Sequence, residues 1–255
     1  MSAADSLPPM PSTPLMRAPL LPADAADILP AFNEPVADAQ AVRACLQDAL
    51  HDPGRLLPLP AGVLASLLPP GRLSPGAAAL ALSLLHAGQS FWVGDAPMQR
   101  RLEGWLAWHT GARPARQIGQ AQLLLARACD AQADLFDPLC GQDLLPDALS
   151  ADRPWCGDHP WGGDRTTLVV DVPELRADPA TPRREPGDAE LTPRLRLQGI
   201  GPEPGRTLAV GGLSRHFWRV RAQRQAQRLP GVDILLLRDQ LLCALPADLP
   251  LSLLA

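Results

Sequence analysis

Residues 194–246 read RLRLQGIGPEPGRTLAVGGLSRHFWRVRAQRQAQRLPGVDILLLRDQLLCALP. The last third of this stretch decides the fold. Two apolar runs, residues 234–237 and 240–245, flank the short polar turn Arg238-Asp239. Short apolar runs on either side of a turn predict an antiparallel hairpin. Residues 195–199 predict an earlier strand, ending at the corner Gly199-Ile200-Gly201-Pro202. Between the corner and the hairpin, residues 213–228 have helical spacing. Strand, corner, helix and hairpin in this order predict an α/β layered domain whose sheet is partly antiparallel.

Working outward, residues 35–50 predict a helix. Val36, Ala39, Val42, Leu46 and Ala49 recur every three or four positions, and Pro35 suits a first helical turn. Asp52-Pro53-Gly54 ends it, and residues 55–57 enter a short extended segment. Ser74-Pro75 opens a second helix that runs to about Gly88. Phe91-Trp92-Val93 reads as a buried strand. A third helix carries Met98, Leu102, Trp105 and Leu106 on one face and stops at Gly111. Residues 123–126 and 166–172 are further strands, and residues 131–149 form one or two short helices. The expected architecture is α/β: a layered mixed sheet with helices on both faces. One domain covers residues 31–255. Residues 1–30, with seven prolines, form a flexible tail, and the charged, proline-bearing residues 174–192 a surface insertion.

The chain has 255 residues, 46% of them apolar, and a net charge of −4. A negative chain has no global field for nucleic acid. All 23 basic residues are arginine, so no side chain can form a Schiff base and covalent pyridoxal phosphate is excluded. A P-loop is excluded for want of its lysine. The cysteines, Cys45, Cys129, Cys140, Cys156 and Cys243, are five in number, irregularly spaced and without a CxxC pair. They fit a reducing compartment better than a disulfide framework. The start of the chain lacks the unbroken apolar stretch of a signal peptide, and no apolar run is long enough to cross a bilayer. The expectation is a soluble, cytoplasmic protein.

Four constellations could carry chemistry. His109-Thr110-Gly111 reads as a general base or phosphate donor, or as a helix C-terminus where imidazolium meets the dipole and glycine caps the end. The run from Arg206 to Arg228 includes Arg215, Arg219, Arg221 and Arg224 and no acidic residue. It reads as a surface for phosphate or an acidic partner, or as a solvated helix face. Cys156, Asp158 and His159 supply at most part of a zinc site, so a rigid loop is preferred and no metal is expected. Gly199-Ile200-Gly201-Pro202 lacks the third glycine of a dinucleotide fingerprint and reads as a tight turn. Cys243, inside an apolar strand, is expected to be buried rather than reactive.

The chain resembles the H subunit of carbon–phosphorus lyase. The likeness runs through PAFNEPVADAQAVRACLQDALHDPGR at residues 30–55, especially Asp38, Gln40, Arg43, Pro53 and Gly54. It continues at Leu106-Ala107-Trp108-His109-Thr110-Gly111 and Ala121-Gln122. Further on it includes Gly199, Gly201, Phe217-Trp218, Gly231-Val232-Asp233 and Ala244-Leu245-Pro246. The family pattern departs at Arg228-Leu229 and Ala247-Asp248-Leu249, and in the tryptophan-rich residues 155–163. The resemblance implies a fold similar to pyridoxal-phosphate-dependent transferases but without a cofactor. It implies a homodimer that works with the G, I and J subunits in phosphonate breakdown. That system, with its L subunit, transfers the ribose triphosphate part of ATP to a phosphonate, and the J subunit then cleaves the carbon–phosphorus bond. No catalytic residue carries over. Asp38, Arg43, His109, Thr110, Arg215, Arg219 and Asp233 are the expected contacts to partners or to a phosphate-bearing ligand. The alternative is a stand-alone hydrolase or transferase using His109 with an acidic partner such as Asp38 or Asp233.

Overall fold

Neighbouring residues of the central strands look into opposite cores. Leu125, Val169 and Leu235 belong to one apolar cluster. Leu124, Leu168 and Leu236 belong to another. This period of two is the pleat, and burial on both faces is why these strands read as unbroken apolar runs. The computed structural model describes residues 29–94, 99–128, 166–177, 192–198, 205–226 and 232–254. Residues 1–28 of the tail expected over residues 1–30, the helices expected within 131–149, the tryptophan-rich loop and the glycine corner at 199–202 lie outside them.

The helices are α1 (Pro35–His51), α2 (Ala61–Ser66), α3 (Pro75–Leu84), α4 (Gln99–Thr110) and α5 (Arg215–Ala226). Seven strands form the large sheet: β1 (Leu57–Pro58), β2 (Ser90–Val93), β3 (Arg113–Pro114), β4 (Leu123–Arg127), β5 (Thr167–Asp171), β9 (Asp233–Arg238) and β10 (Leu241–Leu245). Their order is β1-β10-β9-β5-β4-β2-β3. β10 runs antiparallel to β1 and β9, and the remaining pairs are parallel. Both edge strands are two residues long and each contains a proline, Pro58 and Pro114. A smaller antiparallel sheet, in the order β11-β7-β8-β6, joins β6 (Leu175–Ala177), β7 (Arg194–Leu197), β8 (Thr207–Val210) and β11 (Leu251–Leu253).

Helices α1 to α4 cover the first face, with Val42 and Leu46 of α1, Leu80 of α3 and Leu106 of α4 at its heart. α3 is apolar all round, as a helix enclosed by its neighbours must be. The second face is covered by the small sheet and by α5 through Phe217 and Trp218. The mixed α/β class is as expected, and helices do lie on both faces. The second sheet was not foreseen, because its strands are only three or four residues long.

Three boundaries differ from the sequence reading. The basic run after Arg206 is two elements, strand β8 and helix α5, separated by the turn at Gly211-Gly212. Part of the expected insertion is strand β6, held by Leu175, which is 2% exposed and pairs with Val210; residues 178–191 lie outside the described ones. The hairpin turn is Asp239-Gln240, one residue later than expected, because Arg238 pairs with Leu241. Asp239 takes the positive φ of 54° that primed hairpin turns need.

Two arginines tie the layers together. Arg206 forms an ion pair with Asp52 at the end of α1 and holds its carboxyl below the usual range. Arg221, 6% exposed, donates to the carbonyls of Leu245, Pro246 and Leu249 at 3.3, 2.6 and 3.4 Å. The arginine run is thus partly internal, where the sequence offered only a ligand surface or a solvated face.

Candidate functional site

The seven residues singled out from sequence occupy separate parts of the fold. Asp38 is half-buried in the first turn of α1 and accepts a hydrogen bond from the Glu34 amide at 3.0 Å, closing the helix start. Arg43 donates through Nε to the Ser83 carbonyl at 2.7 Å and fastens α1 to the end of α3. Thr110 donates to the Leu106 carbonyl at 2.7 Å and accepts from the Ala112 amide at 3.1 Å. With Gly111 at a φ of +71°, it forms the C-terminus of α4. Arg215 donates to the Leu254 carbonyl at 3.1 Å, while Arg219 is exposed one turn further along α5. Asp233, 7% exposed, accepts from the Ala247 amide at 2.7 Å and so closes the open end of the β9–β10 hairpin.

His109 lies 3.2 Å through Nε2 from the Leu29 carbonyl, and Trp105 donates to the same oxygen at 2.8 Å. The two rings meet edge to face, with centroids 5.2 Å apart. The neutral tautomer with its hydrogen on Nε2 suits this contact. Among the described residues no carboxylate hydrogen-bonds to His109, so the base–acid pair of the alternative reading is not assembled there. Burial pushes the imidazole below its usual range, against the opposing pull of the Leu29 carbonyl. The unfolded chain therefore takes up a proton first, and the fold loses stability as pH falls below about 6.5. Urea unfolding at stepped pH is expected to show this loss in the native chain and a flatter profile in His109→Gln. Identical profiles would refute the assignment. The effect is small, since the ring edge is open to solvent.

Topology points to a different place. From β2 the chain moves out to β3, then returns to β4 on the other side of β2. In open parallel sheets, ligands gather outside the carboxyl ends of the strands at such a reversal. Those ends here are Val93, Arg127, Asp171 and Arg238. Asp171 accepts from the Ser74 hydroxyl at 2.6 Å and from its amide at 3.3 Å. The Ser74 oxygen in turn caps α3 by accepting from the Ala77 amide at 3.1 Å. Burial pushes the Asp171 carboxyl up, helped by Asp239 and opposed by the Ser74 hydrogen bonds and by Arg127.

The start of α3 would be a ready anion site, but the protein's own carboxyl already fills it. Two strands away, after β2, the Gly94 amide is spent on the Leu125 carbonyl at 2.8 Å. Sequence reasoning found Ser74-Pro75 as a helix start but missed Asp171, which lies 97 residues away. Its only sequence signal is a carboxylate closing a β-branched strand. Among the described residues, no group of three or more side chains could hold a metal ion. No described helix is long and apolar enough to cross a membrane.

The arrangement is that of a layered α/β protein, with a mixed seven-stranded sheet between a helical layer and a small second sheet. Among the described residues at the carboxyl ends of its strands, Asp171 and the Gly94 amide are engaged by internal bonds. The family model for bacterial phosphonate metabolism protein (PhnH) matches residues 30–248, and the chain belongs to that family. Its role therefore lies in phosphonate metabolism. A comparison with curated proteins finds no match.

Proposed function

We propose that this chain is a structural subunit of the carbon–phosphorus lyase core complex. It is dimeric alone, resides in the cytoplasm and works beside the G, I and J subunits. It supports transfer of the ribose triphosphate part of ATP to a phosphonate without an active centre of its own. The family match over residues 30–248 carries this reading. Two observations support the non-catalytic part. His109 is engaged by a main-chain carbonyl, and Asp171 by the cap of α3. A fold shared with pyridoxal-phosphate-dependent transferases, with the cofactor function lost, agrees with a chain that has no lysine.

The test is co-expression with the G, I and J subunits of the same organism. One complex is expected on size exclusion at low salt. Failure to co-elute, with every chain soluble, overturns the reading. The alternative of a stand-alone hydrolase or transferase predicts turnover by the isolated chain that His109→Gln abolishes.

A further inference from the structure

The chain is net negative, yet its charge is unevenly spread. Residues 192–198 and 205–226 hold seven arginines and no carboxylate. A merely solvated surface usually mixes both signs. Arg206 and Arg221 are tied into the fold by Asp52 and by main-chain carbonyls, and Arg215 by the Leu254 carbonyl.

The strand registers gather others on one side. In β7, Leu195 and Leu197 face the core, so Arg194 and Arg196 face outward. Arg194 and Arg176 both stand opposite Ala209, one on each side of β8. Arg196 stands between Thr207 and Ser252. Ala209 between them is 1% exposed, while Arg176 and Arg196 are exposed and Arg194 half-buried. At the β11 edge the surface continues onto α5. The Leu254 amide donates to the Arg194 carbonyl at 2.9 Å, and the Leu254 carbonyl accepts from Arg215. Arg219 follows Arg215 on the same side of the helix.

We propose that this face, carrying Arg176, Arg194, Arg196, Arg215 and Arg219, docks an acidic surface of a partner subunit. The inference rests on the complex reading above and gives it a location. The geometry favours a protein over a small anion. Arg176 and Arg194 sit two strands apart, about 10 Å, and Arg194 and Arg196 about 7 Å apart along one strand. Such spacing spreads the guanidinium groups across a flat face, whereas a single phosphate needs donors that converge. Nucleic acid is disfavoured by the repulsion of a chain that is negative overall. Arginine suits a protein interface, because its planar fork reads carboxylates in pairs and its stem adds contact area. Arg176 and Arg215 are already steadied by Glu174 and Leu254, which lowers the ordering cost. The chain also holds acidic charge that could compete for this face, six aspartates and no basic residue between Asp130 and Asp152.

The experiment uses the full chain with the G, I and J subunits and compares four forms. These are the native chain, the triple variant Arg176→Gln, Arg196→Gln and Arg219→Gln, a control Arg55→Gln and Arg100→Gln on exposed positions elsewhere, and a chain with the aspartates at 130, 134, 137, 143, 147 and 152 changed to asparagine. The expected result is salt-sensitive retention of the native and control chains, and retention about tenfold or more lower for the triple variant at low salt. Equal retention of native and triple chains overturns the docking face while leaving the complex reading intact. If the native chain is not retained, both fall. If the asparagine form is retained more strongly than the native chain, the acidic segment competes with the partner for this face, which supports the assignment.

Discussion

Arg221→Ala is expected to be among the most destabilising single changes in this protein, by about 3 kcal/mol or more. The side chain is buried at 6% exposure and donates to three main-chain carbonyls, those of Leu245, Pro246 and Leu249. These carbonyls belong to the stretch leading from β10 towards β11, which turns away from the large sheet to join the small one. Alanine removes the guanidinium donors from these carbonyls, of which Pro246 keeps the Leu249 amide at 3.0 Å, and opens a cavity on the buried face of α5, and the two losses add. In a chain of this size the melting temperature is expected to drop by roughly 6–12 °C. Arg219→Ala, two residues earlier and exposed, is expected to change stability by less than about 0.5 kcal/mol. Arg221→Lys should recover only part of the loss, since one ammonium cannot serve three spread acceptors. Matching thermal curves for the Arg221 and Arg219 variants would show that the buried guanidinium does not hold this segment.

Gly212→Ala is expected to cost a similar amount for a different reason. Gly212 has a φ of +85°, and a Cβ there would lie 2.7 Å from Ala128 Cβ and from Pro173 Cδ. Neither neighbour is the far end of a flexible side chain, so backbone must move. The left-handed conformation alone costs about 1–2 kcal/mol, and overpacking adds about 1–3 kcal/mol. Gly88 provides the control. Its φ is +96°, but nothing lies within 4 Å of the added carbon. Gly88→Ala should therefore show the conformational part alone, about 1–2 kcal/mol. Urea midpoints measured side by side separate the two contributions, and equal shifts would remove the steric part. Because Gly212 sets the entry into α5, its variant should also weaken any binding that uses Arg215 and Arg219.

The elements with strong local signals were legible from sequence. The run Asp233–Arg238 is apolar for four residues after its aspartate and announces a buried strand, and Val42, Leu46 and Ala49 announce the inward face of α1. The small sheet was not legible, because strands such as Leu175–Ala177 and Leu251–Leu253 are too short to show alternation and exist only through pairing with distant partners. Arg221 shows the same limit for side chains. Its spacing from Phe217 and Trp218 places it on the buried face of α5, but its charge argued for solvent until the carbonyls it satisfies were seen. His109 was legible as a helix end through Gly111, whereas the Leu29 carbonyl that engages it comes from 80 residues earlier. Asp171 escaped notice because its meaning depends wholly on Ser74.

The two-residue margins of the large sheet, Leu57–Pro58 and Arg113–Pro114, set how this molecule can grow into something larger. Proline has no amide hydrogen to offer, and a border that short gives an incoming chain almost nothing to zip against. Copies or partners therefore cannot extend this sheet strand by strand into a continuous ribbon. At these two margins, association through side chains, which salt and charge reversal can undo, is favoured over growth into a fibre.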